Sequence, residues 1–113
     1  ILKMSREHGI EIMLSSNPYT DKETLEPYLK TFSSFQVLSV NPGYTGQPFL
    51  PFTLEKVKFL RKASLNAKIE VDGGINRETA KLAKVAGATI VAAASYIFGA
   101  KEHKKAYEEL KRI

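Results

Sequence analysis

Cysteine is absent from the 113 residues, which removes a disulfide framework and a thiolate metal site from consideration and suits a reducing compartment. A long apolar run is absent as well. The most apolar long stretch, residues 88 to 100, is interrupted by Thr89, Ser95 and Gly99, and it falls short of the roughly 18 apolar residues that a bilayer-crossing helix needs. The opening stretch "ILKMSREHGIEIM" lacks the charged, then apolar, then small-residue order of a secretory signal and does not begin with methionine, so it reads as the middle of a longer protein. These absences lead to the expectation of a cytoplasmic protein with no membrane partner. A basic stretch interleaved with stacking aromatics is missing too, although the net charge is +5. Lys101, Lys104, Lys105, Lys111 and Arg112 alternate with Glu102, Glu108 and Glu109 near the C-terminus, and Lys56, Lys58, Arg61 and Lys62 surround Leu54, Val57 and Leu60. Both groups read as solvated helix faces, and no nucleic-acid partner is expected.

What is present is an alternation of strand and helix signals. Residues 1 to 8 read as a helix end stopped by Gly9, and "IEIML" at 10 to 14 as a short buried strand. Thr20 and Glu23 have capping-box spacing, and Leu25, Tyr28, Leu29 and Phe32 form one apolar stripe, which predicts a helix over 21 to 31. Residues 35 to 40 predict a strand, "NPGYTGQPFLP" a long loop, 53 to 63 a helix and 67 to 72 a strand. Asn76 predicts the cap of a helix over 77 to 86 that stops at Gly87. A fourth strand at 88 to 93, a short extra helix at 94 to 99 and a helix over 101 to 112 complete the chain. Four strand-then-helix units in series require a parallel sheet, because each crossover returns the chain to the same sheet end. The class is therefore α/β, with every strand-to-helix loop on one face, where such folds carry their chemistry.

The chain has two aspartates. Asp21 sits beside a helix start, where an acid complements the macrodipole. Asp72 ends a strand whose alternation puts Lys68, Glu70 and Asp72 on one side and Ala67, Ile69 and Val71 on the other. With helices outside, Asp72 faces the inside of the sheet's curve, as a metal ligand, a proton carrier or a cap for nearby backbone N–H groups. Gly73 and Gly74 behind it, and Gly43 and Gly46 in the preceding strand-to-helix loop, allow backbone N–H groups close to a ligand or serve only to turn the chain. The extra helix after the last strand presents a further N-terminus, and together these elements favour a phosphate site.

"VLSVNPGYTGQPFLPFTLEKVKFLR", "IEVDGGIN" and "IVAAASYIFGA", in this order and spacing, resemble the C-terminal half of the ribulose-phosphate 3-epimerase family, and "NPYTDKETLEPYL" is similar to the family's segment after its fifth strand. The resemblance implies a (β/α)8 barrel of which residues 1–113 form a partial domain, strands 5 to 8 with their helices. It implies an isomerase that inverts C3 of a pentulose 5-phosphate, interconverting ribulose and xylulose 5-phosphates. A base near C3, a cation that stabilises the enediolate and a second acid on the opposite face are the requirements of that reaction. Asp72 is then one of two catalytic aspartates and a ligand of a divalent cation such as Zn, Fe, Mn or Co. Gly43, Tyr44, Thr45, Gly46, Gly73, Gly74, Ala94 and Ser95 are placed around the substrate and its phosphate. The other aspartate and two metal-binding histidines belong to earlier strands, and His8 and His103, both in predicted helices, do not replace them. The chain by itself is therefore expected to be inactive, and to self-associate or require the other half-barrel. Thr45, Ala94 and Leu38 depart from the family's usual glycine, glycine and methionine. A hexulose-6-phosphate 3-epimerase and a non-catalytic phosphate-binding half-barrel or assembly module are the alternative readings.

Overall fold

The structure is a computed structural model that describes residues 1–44 and 46–113. Helix α1 spans Leu2–Glu7, followed by strand β1 at Leu14–Ser16 and strand β2 at Ser34–Leu38. Helix α2 (Leu54–Ala63), strand β3 (Lys68–Asp72), helix α3 (Arg77–Ala86), strand β4 (Ile90–Ala92), helix α4 (Ser95–Phe98) and helix α5 (His103–Lys111) complete the order. The four strands form one sheet in the order β1-β2-β3-β4, and all three pairings are parallel. Among the described residues no helix is long and apolar enough to cross a membrane.

Register fixes the two faces of the sheet. Leu14 pairs with Phe35 and Phe35 with Ile69, while Val37 pairs with Val71 and Val71 with Val91. Side chains at paired positions share a face, so these residues form the helix side. Phe35, Val37, Ile69 and Val71 are buried there with Val57 and Leu60 of α2 and Ala80 and Ala83 of α3. The small alanines of α3 let the helix lie close to the sheet. Ser15, Gln36, Glu70 and Ile90, and beyond them Leu38, Asp72 and Ala92, occupy the opposite face. This is the arrangement expected from the alternation at 67 to 72: Ile69 and Val71 are buried, Lys68 is exposed, and Glu70 and Asp72 are partly exposed.

Several elements differ from the expectation. The first strand lies at Leu14–Ser16 rather than 10 to 14, because β2 begins only at Ser34 and its register meets β1 from Leu14 onward. Residues 10–13 precede the paired segment, and Ile10 is exposed. The predicted helix over 21 to 31 is a 3₁₀ helix over Lys22–Tyr28. Pro27 lies inside it and has no N–H to contribute to an α-helical ladder. Its cap residue is Asp21, without a side-chain capping bond, so the Thr20/Glu23 box does not form. By contrast, Asn76 caps α3 as expected: its Oδ1 accepts from the Thr79 N–H at 2.9 Å, and the Asn76 N–H donates to Thr79 Oγ1 at 2.8 Å. The last strand is trimmed to Ile90–Ala92 and the last helix begins at His103.

Candidate active site

The loops that follow β2, β3 and β4 enclose a cleft of ≈ 340 Å³ at one end of the sheet. Asp72 and the Gly73–Gly74 pair enter it from β3, Asn41, Gly43, Tyr44 and Gly46 from the β2–α2 loop, and Ala94 and Ser95 from the segment after β4. The structure thus brings eight of the nine sequence-predicted site positions to one cleft. Thr45, the ninth, lies outside the described residues.

Asp72 closes β3 on the inner face, paired with Leu38 on one side and Ala92 on the other. Burial between these apolar neighbours disfavours its charged form, and Glu70 on the same face adds repulsion, so the Asp72 carboxyl is held above the ordinary carboxylate value. Gln36 spans the two acids: its Nε2 donates to Glu70 Oε1 at 3.0 Å and, more weakly, to Asp72 Oδ2 at 3.5 Å. The Gln36 amide oxygen accepts from Ser15 Oγ at 2.7 Å. A polar line thus crosses from β1 to β3. Among the described residues no backbone N–H donates to the Asp72 carboxylate, so the cap reading of this side chain has no support in the fold.

The glycines divide into two pairs. Gly73 and Gly74 have φ of +123° and +65°, a region that side chains disfavour. A Cβ on Gly73 would lie 2.5 Å from Val40 Cγ2, and one on Gly74 would lie 2.9 Å from the Phe49 backbone. These two positions are therefore glycine because the β2–α2 loop packs directly on them. Gly43 and Gly46 also have positive φ, at +140° and +83°, but among the described residues nothing lies within 4 Å of an added Cβ. They turn the loop through open space at the cleft, with Tyr44 between them exposed. The extra helix after the last strand is a single turn, Ser95–Phe98, whose first residue lines the cleft.

Neither histidine lines this cleft. His8 ends α1 with its Nδ1 2.8 Å from the Met4 carbonyl, and His103 opens α5 with its ring 5.7 Å from that of Phe98. Among the described residues no group of three or more histidine, aspartate or glutamate side chains converges to hold a metal. Among the described residues Asp72 is the single candidate ligand in this cleft, and no complete cation site is formed. Sequence reasoning missed Gln36, which was available as the one polar residue in "FQVL" on the parity of Leu38, and the buried Ser39, whose hydroxyl donates to the Gly73 carbonyl at 2.6 Å, a partner that depends on which strand lies beside it.

The model of the ribulose-phosphate 3 epimerase family matches residues 1–98. The chain is 33% identical over 115 residues to the ribulose-phosphate 3-epimerase of Bacillus subtilis, covering 97% of this chain and 53% of that protein. It is 42% identical over 106 residues to the Chlamydia pneumoniae ribulose-phosphate 3-epimerase, covering 88% and 46%. Among solved structures, a 3-hexulose-6-phosphate synthase superposes with a TM-score of 0.72 at 21% identity, over 98% of this chain and 53% of the other. Orotidine 5'-phosphate decarboxylase from Pyrococcus horikoshii superposes at 0.65 with 16% identity, over 98% and 56%. At such identities the likeness speaks for the fold, half of a (β/α)8 barrel. The chain spans about half the length of the curated relatives it matches. With the match running through the Asp72 strand and all three cleft loops, the chain belongs to the ribulose-phosphate 3 epimerase family.

Proposed function

We propose that this chain supplies the phosphate grip and one of two acid–base groups of an isomerase that inverts C3 of a pentulose 5-phosphate. The observation that carries this reading is the placement of Asp72, its carboxyl held above the ordinary value, in the same cleft as the glycine loops. A hydrogen on the carbon beside a ketone is removable by a base within reach, and a carboxylate whose pKa is raised is the better base. Asp72 takes the proton from one face of C3 and holds it. Inversion needs a proton delivered to the opposite face, and Glu70 cannot deliver it, because it lies on the same strand and the same side as Asp72. The second acid therefore comes from the facing wall of a closed barrel, and the chain alone is inactive. A divalent cation, when bound, stabilises negative charge on the substrate oxygens; Asp72 is the one ligand this chain is positioned to offer it. The phosphate is placed at Gly43, Gly46 and the Gly73–Gly74 pair, with Ser95 at its edge, where backbone N–H groups meet an anion without a side chain between.

The test is exchange of solvent deuterium into C3 of ribulose 5-phosphate by a complete barrel containing this chain. Exchange at C3 with formation of xylulose 5-phosphate is expected. Exchange confined to a hexulose 6-phosphate would reassign the substrate, and exchange with neither would remove the epimerase reading.

A further inference from the structure

Ser39 follows β2 and is completely buried, yet it carries a hydroxyl. Burying a hydroxyl is unfavourable unless it is hydrogen-bonded, and this one donates to the Gly73 carbonyl at 2.6 Å. The main chain of Ser39 makes two further bonds. Its N–H donates to the Asp72 carbonyl at 2.9 Å, one step past the Leu38–Asp72 pairing, and its carbonyl accepts from the Leu50 N–H at 2.7 Å. One residue therefore ties the end of β2 to both peptides that follow the Asp72 α-carbon and to the far end of the β2–α2 loop.

The bond to Gly73 has a directional consequence. In a trans peptide the C=O and N–H point opposite ways, and the described residues contain no cis bond. Fixing the Gly73 carbonyl on Ser39 turns the Gly74 N–H away from it. Among the described residues no protein acceptor takes that N–H, and both glycines line the cleft. Val40 and Phe49 pack where side chains on Gly73 and Gly74 would be, which holds the turn in place.

We propose that Ser39 is a positioning residue whose hydroxyl sets the Gly73–Gly74 peptide so that the Gly74 N–H is presented to an anion in the cleft. The inference rests on the phosphate reading of the cleft given above. It adds that the grip depends on a buried hydroxyl from the neighbouring strand, a residue that touches no substrate.

The test uses a complete barrel containing this chain, inorganic phosphate as the probe and amide NMR as the readout, comparing wild type with Ser39→Ala and Ser39→Thr. In the wild type, phosphate is expected to shift the Gly74 amide. In Ser39→Ala, with the remaining spectrum folded, the Gly74 response is expected to weaken by roughly fivefold or more, in line with loss of one orienting hydrogen bond, and Ser39→Thr should retain it. A merely structural role would move thermal stability and leave the Gly74 response in place. Wild-type affinity in Ser39→Ala, or equal weakening in Ala and Thr variants, would overturn the inference while leaving the phosphate site standing. Absence of any Gly74 response in the wild type would remove the phosphate reading and this inference together. Should Ser39→Ala not fold, Ser39→Cys fills similar space with a poor donor and carries the same comparison.

Discussion

Asp72 is acted on by burial, by a neighbouring acid and by a bridging amide, and the first two push in the same direction. Because its carboxyl is held above the ordinary value, the folded chain prefers the protonated form. The stability tied to this preference is fully present below the ordinary carboxylate range and is lost as pH rises through the raised value. Asp72→Asn, permanently neutral, should therefore melt at a higher temperature than the wild-type chain at neutral pH and at the same temperature in acid. A lower melting temperature for the variant at neutral pH would contradict the electrostatic account. The glycines behind Asp72 permit a second comparison. Gly74→Ala combines positive φ with a Cβ 2.9 Å from the Phe49 backbone, while Gly43→Ala has positive φ in open space. Denaturant melts should show the former costing about 1–3 kcal/mol and the latter less; equal costs would mean that loop packing on Gly74 is unimportant. The side to which Asp72 points was readable from the alternation of "AKIEVD". The partners of Gln36 and Ser39 were not, because they are set by register against β3, and no single strand carries its neighbour's register.

At the scale of elements, the turns between strands and helices were legible where a local rule decided them. Asn76 announced the start of α3 and Gly87 its end, although the reciprocal bond from the Asn76 N–H to Thr79 was not foreseen. The segment after β1 was misread as an α-helix because its apolar stripe has helical spacing, and the missing donor at Pro27 outweighed that pattern. The start of β1 was misread because an apolar run such as "IEIML" shows no period that distinguishes its paired part from its unpaired part. Arg61 was read as surface charge, but its guanidinium works at the end of the sheet away from the cleft. Its Nε donates to the Gly87 carbonyl at 2.9 Å, and its other nitrogens reach the carbonyls of Ser64, Leu65 and Ala67 at 3.2, 2.7 and 2.8 Å. It thus joins the C-terminal ends of α2 and α3 to the start of β3. Arg61→Met keeps the stem and removes these bonds. It should destabilise the chain by about 1–3 kcal/mol in denaturant titration, the scale for acceptors left unsatisfied at the part-buried bonds to Gly87, Ser64 and Ala67, with the phosphate response of the cleft unchanged at temperatures where the variant is folded. Stability equal to wild type would place those carbonyls in water at no cost.

For the whole molecule, the parallel sheet ends in two bare edges. β1 pairs only with β2 and β4 only with β3 among the described residues, and the inner face carrying Gln36, Glu70 and Asp72 has no opposing wall within the sheet. Unpaired strand edges recruit other strands, so the isolated chain should self-associate at micromolar concentration. Size-exclusion chromatography with light scattering should give masses above that of one chain, and a concentration-independent monomer would contradict this. The parallel sheet was legible because four strand-helix units require one, and the half-barrel through the resemblance carried by "VLSVNPGYTGQPF" and "IEVDGGIN", whereas the wall that closes it lies beyond any pattern in these residues. The same geometry sets the central test, exchange of solvent deuterium at C3 of ribulose 5-phosphate. In a complete barrel containing this chain, Asp72→Asn should lower the exchange rate by ~100-fold to 10,000-fold, the usual contribution of a general acid–base group, and the 113-residue chain alone should show none. Unimpaired exchange in Asp72→Asn would remove this carboxylate from the reaction and contradict the account at its centre.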